Sequence, residues 1–200
     1  GQVDNAILAR TDILAAMQRG ISGEGEKEIG VDVARHGSDR SVLWMRQGLK
    51  TIDYKIYLDK KTTQLCDLIE QFANFDKEIR IKVDDTGVGG GVTDEMEKRG
   101  YPVMPINFGG EPADKDKYPN LISEAWFNFK DILSQVSLPQ DQDLLMELST
   151  RQWRQDIRGK RCIEGKGEYR NRGFRSPDLA DACIICYYNR NAMVPEIHFI

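Results

Sequence analysis

Five carboxylates in this chain are placed where they could act together on a cation-dependent reaction. Asp32 lies inside the apolar run Ile29-Gly-Val-Asp-Val-Ala34. Asp84 and Asp85 close the alternating run Ile79-Arg-Ile-Lys-Val83. Asp178 and Asp181 follow Ser176-Pro177 at a spacing of i, i+3, which on a helix points both to one side. Aspartate is a poor strand former and is costly to bury unpaired. Asp32 therefore reads either as a metal ligand or as an acid that caps the following turn or pairs with Arg35 or Arg40. If the strands that carry Asp32 and Asp84 are neighbours and the last helix crosses them, the three groups converge. Converging carboxylates repel one another unless a cation neutralises them. Oxygen donors of this kind suit Mg²⁺ or Mn²⁺. Two such ions about 3.5–4 Å apart can activate a water and stabilise the leaving oxygen in phosphodiester hydrolysis.

Three other stretches invite a chemical reading. Thr86-Gly-Val-Gly-Gly-Gly91 follows a strand and precedes a helix, as a phosphate-binding turn would. It lacks the spacing of a dinucleotide fingerprint, and no Lys-Ser/Thr follows as in a P-loop, so a tight backbone path beside a metal site is the better reading. Arg151, Arg154, Arg158, Lys160, Arg161, Lys166, Arg170, Arg172 and Arg175 face only Asp156, Glu164 and Glu168 in the same segment, with Trp153, Tyr169 and Phe174 interleaved. This segment could track a phosphate backbone or form a solvated hairpin face. It runs directly into the Asp178 helix, which favours DNA. Cys183-Ile-Ile-Cys186 has metal-like spacing but no second pair and an apolar setting, which points to core packing. His36 could carry a proton or contact phosphate and Asp39 could support the acids, or both could be plain turn residues. Nothing distinguishes His198.

The elements that must position these groups follow from periodicity. Residues 4–19 read as a helix and 21–28 as a Gly- and Glu-rich breaker, so residues 1–27 are expected to be a docked arm or an inter-domain linker. Strands are expected over 29–34, 41–47 and 51–58, as an antiparallel meander turning near Gln47-Gly48. A helix over 64–75, N-capped by Thr62 or Thr63, precedes a strand at 79–83. A helix at 91–99 and a strand at 101–106 follow. Residues 108–118 read as a mobile loop. Helices are expected over 120–134 and 141–150, then a hairpin over 151–165 turning at Gly159-Lys160. A last helix is expected to run to about Tyr188, with Ser176 as N-cap and Pro177 in its first turn. This order implies an α/β fold: a mixed sheet, antiparallel meander plus parallel strands, flanked by helices, with a C-terminal β-hairpin. That is a ribonuclease H-like layout.

Composition sets outer bounds. At 200 residues the chain suits one domain, here 28–190, with residues 191–200 as a tail. The 40% hydrophobic and 30% charged residues are those of an ordinary globular protein. No apolar run approaches the roughly 20 residues that span a bilayer, and no signal peptide is visible. A net charge of −4 argues against a generally basic nucleic-acid-coating protein but permits a local basic patch. Four cysteines in this length make no disulfide framework and are expected to be reduced, in a cytoplasm. The first residue is Gly, as expected of a piece of a longer chain.

The motifs also carry a resemblance. Gly30-Val-Asp-Val-Ala-Arg35 with Gly37-Ser-Asp-Arg40 resembles the first motif of the nuclease domain of tailed-bacteriophage terminase large subunits. Val83-Asp-Asp-Thr-Gly-Val-Gly89 with Gly91-Val92 resembles the second. Glu164-Gly-Lys166, Arg172-Gly173 and Arg175-Ser-Pro-Asp-Leu-Ala-Asp-Ala182 resemble the closing segment, so the likeness covers roughly 28–188. It implies a two-metal endonuclease that uses Mg²⁺ or Mn²⁺ to cut concatemeric double-stranded viral DNA during genome packaging. It implies as partners an ATPase motor in the same full-length chain, a portal protein and a small terminase subunit. The setting is the cytoplasm of the bacterial host, with no membrane component. By position, Asp32 matches the ligand that bridges both ions, Asp84 the acid before the Gly-rich turn with Asp85 as second choice, and Asp178 and Asp181 share the last site. Lys166 matches a hairpin lysine expected to contact DNA, with Arg158, Lys160, Arg161, Arg172 and Arg175 as further DNA contacts. The Asp-x-x-Asp-Ala spacing is also similar to Holliday-junction resolvases of the same fold. A resolvase or ribonuclease H-type nuclease, or a non-catalytic DNA or portal docking module, are the alternatives.

Overall fold

The computed structural model describes residues 5–35 and 40–189. His36, Asp39 and His198 lie outside the described residues. The chain forms α1 (Arg10–Gln18), β1 (Lys27–Asp32), β2 (Arg40–Gln47), β3 (Lys50–Leu58), α2 (Thr62–Phe72), β4 (Arg80–Asp84), α3 (Gly89–Lys98), β5 (Val103–Ile106), α4 (Leu121–Ile132), α5 (Gln142–Thr150), β6 (Trp153–Gln155), β7 (Arg161–Ile163), α6 (Lys166–Asn171) and α7 (Asp178–Tyr187). Among the described residues no helix is long and apolar enough to cross a membrane.

The main sheet has the order β3-β2-β1-β4-β5. β1, β2 and β3 pair antiparallel, whereas β1, β4 and β5 run parallel. This is the mixed sheet, an antiparallel meander plus parallel strands, expected from the order of the elements. β1 is central and buried along nearly its whole length, which is why it reads as an apolar run rather than as an alternating strand. Its alternation is visible in what each face touches. Ile29 and Val31, with Leu43, Ile81 and Val83, pack under α2 and α3. Gly30 and Asp32 point the other way, towards α7. A Cβ on Gly30 would lie 2.6 Å from the Ala182 carbonyl oxygen and 2.6 Å from the Cys186 nitrogen, so only glycine lets α7 come this close. Val42 and Trp44 share a second core with α1, α4, α5 and α7. Helices therefore cover both faces of the sheet.

Charged side chains fix the far end of α7. Lys82, fully buried and paired in register with Gly30, donates from Nζ to the carbonyl oxygens of Cys186 (3.0 Å) and Tyr188 (2.6 Å). Arg46 Nε donates to the same Cys186 oxygen at 2.8 Å. Glu28 balances both cations, contacting Arg46 and standing 3.2 Å from Lys82 Nζ. Cations at a helix C-terminus satisfy its free carbonyls and its dipole.

Several local expectations are corrected. The first helix starts at Arg10, because residues 5–7 pair with the start of the hairpin: Ala6 bridges Gln152, and the Ile7 N–H donates to the Arg151 carbonyl. β1 ends at Asp32, so the acid closes the strand instead of lying within it. α2 is entered through Lys61, whose N–H donates to Gln64 Oε1, and not through a threonine cap. Pro177, not Ser176, holds the N-cap position of α7. Residues 108–118 are pinned: Phe108 and Tyr118 are buried, and Glu124 accepts the N–H groups of Ala113 and Asp114 at 3.0 and 2.7 Å. α6 was not anticipated. Gly167 in a six-residue helix hides it, while the Glu168 carboxylate reaches back to the Gly165 N–H at 2.7 Å.

Candidate active site

Asp32 ends β1, Asp84 ends the parallel neighbour β4, and both extend the sheet face that carries Gly30 and Lys82. Side chains at the carboxyl ends of adjacent parallel strands are where ligand sites of such sheets form. α7 crosses this face, and Asp178 and Asp181 occupy its first turn, where a helix favours negative charge. All four acids are buried, Asp181 completely.

Lys166, the first residue of α6, reaches into this group. Its Nζ stands 2.9 Å from Asp181 Oδ2 and 3.6 Å from Asp32 Oδ1. It is therefore not a hairpin residue but the ammonium at the centre of the acids. Burial pushes the Asp32 carboxyl well above the usual carboxylate range, against the pull of the Lys166 ammonium, and the Asp181, Asp178 and Asp84 charges push it the same way as burial. Asp84, Asp178 and Asp181 thus all act electrostatically on Asp32. Partial burial disfavours the Lys166 ammonium, but Asp181, Asp32 and Asp178 push its pKa up. A shallow cleft opens over Asp32, Lys166, Arg170, Ser176 and Asp178.

Each of the other acids has its own holder. The Thr86 N–H donates to Asp84 Oδ1 at 3.1 Å, so the turn that follows β4 aims the acid. This turn is tight because Gly89 lies against the strand end: a Cβ there would be 1.7 Å from the Asp84 carbonyl oxygen. The Gly-rich stretch thus reads as a close backbone path. Asp85 is half-buried, and its N–H donates to the Ile106 carbonyl at 2.8 Å; it alternates away from the face that carries Asp84. Asp178 Oδ2 lies 3.4 Å from the Arg40 N–H and 3.5 Å from Arg40 Nε. Arg40 Nη2 donates to Glu147 Oε1 at 2.7 Å, and Glu147 Oε2 accepts the Ala180 N–H at 2.9 Å. Glu147 on α5 thereby caps the first turn of α7 and braces Arg40. Burial raises the Glu147 carboxyl to about 7 against the pull of the Ala180 N–H and Arg40.

Arg151 is fully buried, with Nη1 3.6 Å from Asp181 Oδ1 and with Nε and Nη2 donating to the Glu164 carbonyl. Its guanidinium lies over the rings of Trp126 and Tyr169. This corrects its place in the basic segment: Arg151 is a counter-charge behind Asp181 and does not face a solvent-borne phosphate. Arg40, a candidate partner of Asp32 at the end of the first motif, pairs instead with Asp178 and Glu147, while Glu147 and the inward role of Arg151 carry no sequence motif. Only the rarity of deeply buried charge marks them, and that is visible once the fold is known.

The donor set suits a hard divalent cation, since it is all carboxylate oxygen. Both Asp181 oxygens are buried and face cations, Oδ2 the Lys166 ammonium at 2.9 Å and Oδ1 the Arg151 guanidinium at 3.6 Å. Among the described residues no three His, Cys, Asp or Glu side chains form a ready-made chelating cluster. The Lys166 ammonium stands where positive charge is needed, between Asp32 and Asp181, and an ion would take over that role.

The basic residues divide by exposure. Arg158 and Arg161 are exposed and Lys160 is half-buried on the β6–β7 hairpin, and Arg175 is exposed before α7. Arg172 is committed: Nε donates to Glu164 at 3.0 Å and Nη2 to the Thr150 carbonyl at 2.7 Å, and the guanidinium lies against Tyr169 and Phe174. Cys183 and Cys186 are buried in α7, and burial pushes both thiols up, Cys186 to about 11. That agrees with core packing.

No protein-family model and no curated protein matches this sequence. Solved structures do. The nuclease domain of the large terminase subunit gp2 of bacterial virus Sf6 superposes with a TM-score of 0.82 at 19% identity, covering 92% of this chain and 99% of that one. The large terminase nuclease from thermophilic phage G20c gives 0.68 at 15% identity over 92% and 97%. The nuclease domain from Thermus phage P74-26 gives 0.64 at 12% identity over 92% and 94%. The chain therefore has the fold seen in the nuclease domains of phage large terminase subunits.

Proposed function

We propose that this chain is a metal-dependent endonuclease domain that hydrolyses phosphodiester bonds of double-stranded viral DNA during genome packaging. The observation that carries this reading is the meeting of Asp32, Asp84, Asp178 and Asp181 at one end of the sheet, balanced at its centre by one ammonium. Similar folds have been solved with manganese, for Sf6 gp2, and with magnesium, for phage G20c. Two divalent ions held by the four acids would supply the Lewis acidity and the acidified water that the hydrolysis needs.

The residues of the chain do the rest. Asp32, on the rigid central strand, faces the other acids and would be shared between the ions. Thr86 holds Asp84, Arg40 holds Asp178, and Arg151 backs Asp181, so the acids are oriented before substrate arrives. Lys166, which lies beside Asp32 and Asp181 and lines the cleft, would offer its ammonium to the phosphate. Arg158, Lys160, Arg161 and Arg175 would contact the DNA backbone, giving affinity with little sequence preference. The motor of a longer chain, a portal and a small subunit are its expected partners, in the host cytoplasm.

Plasmid cleavage with Mn²⁺, Mg²⁺ or EDTA, by the wild type and by Asp32→Asn, tests the reading. Nicking and linearisation that need metal and vanish in the variant are expected. Cleavage that persists in EDTA, or at full rate in Asp32→Asn, would overturn it.

A further inference from the structure

The hairpin β6–β7 ends in a turn that displays an isoleucine. Ile157 is 104% exposed, the highest value among the exposed large apolar side chains of the described residues. A single exposed apolar residue is ordinary. Its setting is not. Tight turns favour Gly, Asn, Asp, Ser and Pro, and a β-branched side chain there lends nothing to the turn. This turn is held rigid without it. The Asp156 carboxylate accepts the N–H groups of Arg158 (2.8 Å) and Lys160 (2.9 Å), the Asp156 N–H donates to the Lys160 carbonyl, and Gly159 takes the left-handed conformation at φ +76°. Asp156 is thus consumed by the turn. What remains facing outward is Ile157 flanked by Arg158 and Lys160, with Arg154 and Arg161 on the strands below.

The root of the same hairpin is fastened to the acid cluster. Arg151 enters β6 and contacts Asp181, and β7 leads through Glu164 to Lys166. The Ile163 N–H bonds to Ser123 Oγ, the Arg161 N–H to the Lys117 carbonyl, and Trp153 packs edge-on against Phe127. The hairpin is therefore a stiff projection and not a loose flap. Its ladder holds three residue pairs, so at about 3.3 Å per residue the tip stands roughly 10 Å beyond the root.

The geometry points to Ile157 as an apolar wedge that presses into a base step of the duplex bound over the acids, with Arg158 and Lys160 seated on the flanking phosphates. This rests on the reading of duplex DNA as substrate. Inserted apolar side chains unstack one step and kink the duplex, and cations beside them offset the cost by gripping the backbone. A rigid support is what such a wedge requires, since a mobile one would lose its purchase to conformational entropy.

The test is binding, in EDTA at low salt, to two fluorescent duplexes of the same sequence, one fully paired and one with a single mismatch that lowers the cost of unstacking. The wild type is expected to favour the mismatched duplex. Ile157→Ala is expected to weaken binding to the paired duplex about tenfold and to erase that preference. Its fold is not at stake, since Ile157 touches only solvent. Arg158→Ala and Lys160→Ala should weaken both duplexes alike and each reduce the salt slope by about one. Ile157→Ala that binds both duplexes as the wild type does would overturn the wedge and leave the DNA reading standing. Failure of the wild type to bind either duplex would overturn both.

Discussion

Replacing Gly30 by alanine tests whether the seat of α7 on β1 sets the acid cluster. The new methyl would lie 2.6 Å from the Ala182 carbonyl oxygen, 2.6 Å from the Cys186 nitrogen and 2.7 Å from the Cys186 Cβ. Two of these neighbours are helix backbone and none is the end of a flexible chain. Restoring an ordinary 3.4 Å contact moves the helix out by about 0.8 Å. Overpacking of this kind costs about 3 kcal/mol, the upper end of its usual range, because no rotamer change relieves it. For a domain of this size the melting point should fall by about 6–12 °C. Asp178 and Asp181 ride on the displaced helix, and a misplacement approaching 1 Å can cost about a hundredfold in rate. Melting is followed by circular dichroism in EDTA, and plasmid nicking in Mn²⁺ is measured well below both midpoints. Gly20→Ala serves as control, since a Cβ there meets nothing within 4 Å. A Gly30→Ala melting point within about 1 °C of wild type would refute the packing argument. Lower stability with undiminished nicking would refute the link from packing to site.

Asp32→Asn should abolish nicking and yet raise the melting point in EDTA, because burial and three neighbouring acids penalise the charge it removes; a metal-free melting point below wild type would contradict this. Lys166→Ala should lower metal-free stability at pH 7 by about 2 kcal/mol, since it strands Asp32 and Asp181 without their counter-charge. The Asp32 carboxyl is already raised and would rise further without Lys166, so that loss should vanish in acid, where the carboxyls take protons, and grow as pH rises. Mn²⁺ should reverse it, and a variant whose melting point ignores both pH and Mn²⁺ would refute the account. Glu147, raised from 4.5 to about 7, binds its proton more tightly folded than unfolded. Its contribution is therefore full below pH 4.5 and is lost as pH rises to about 7, so Glu147→Gln should flatten that part of the stability profile; parallel wild-type and variant profiles would exclude it.

Asp32 and Asp84 were legible because a carboxylate at the end of an apolar strand is anomalous in its local setting, whereas Asp178 and Asp181, ordinary in a first helical turn, stood out through their i, i+3 spacing and the motif they belong to. The strands were legible because burial on both faces of β1 and on one face of its neighbours writes different periods. What escaped was what depends on distant parts of the chain. Glu147 looks like any acid of an amphipathic helix until Arg40 and the Ala180 N–H, 107 and 33 residues away, are placed beside it. Arg151 looks like one more surface cation in a basic segment until Trp126 and Tyr169 close over it. The pairing of residues 5–7 with the hairpin overrode a helical pattern, since tertiary hydrogen bonds outweigh local propensity.

Lys82 and Arg46 hold the last carbonyls of α7, while Glu147 holds its first turn and Gly30 leaves no room beneath it. A helix clasped at both ends and seated on bare backbone has no spare coordinate along which to slide or turn. Asp178 and Asp181 are therefore held firmly in place, and a change in the balance of charge at the acids is more easily made elsewhere. The available lever is Lys166, carried on a six-residue helix beside the hairpin root and able to trade its carboxylates for other partners. If the proposed cutting takes place, a partner that touches the hairpin side of the domain could alter it by drawing one ammonium out of place while the sheet and α7 stay still.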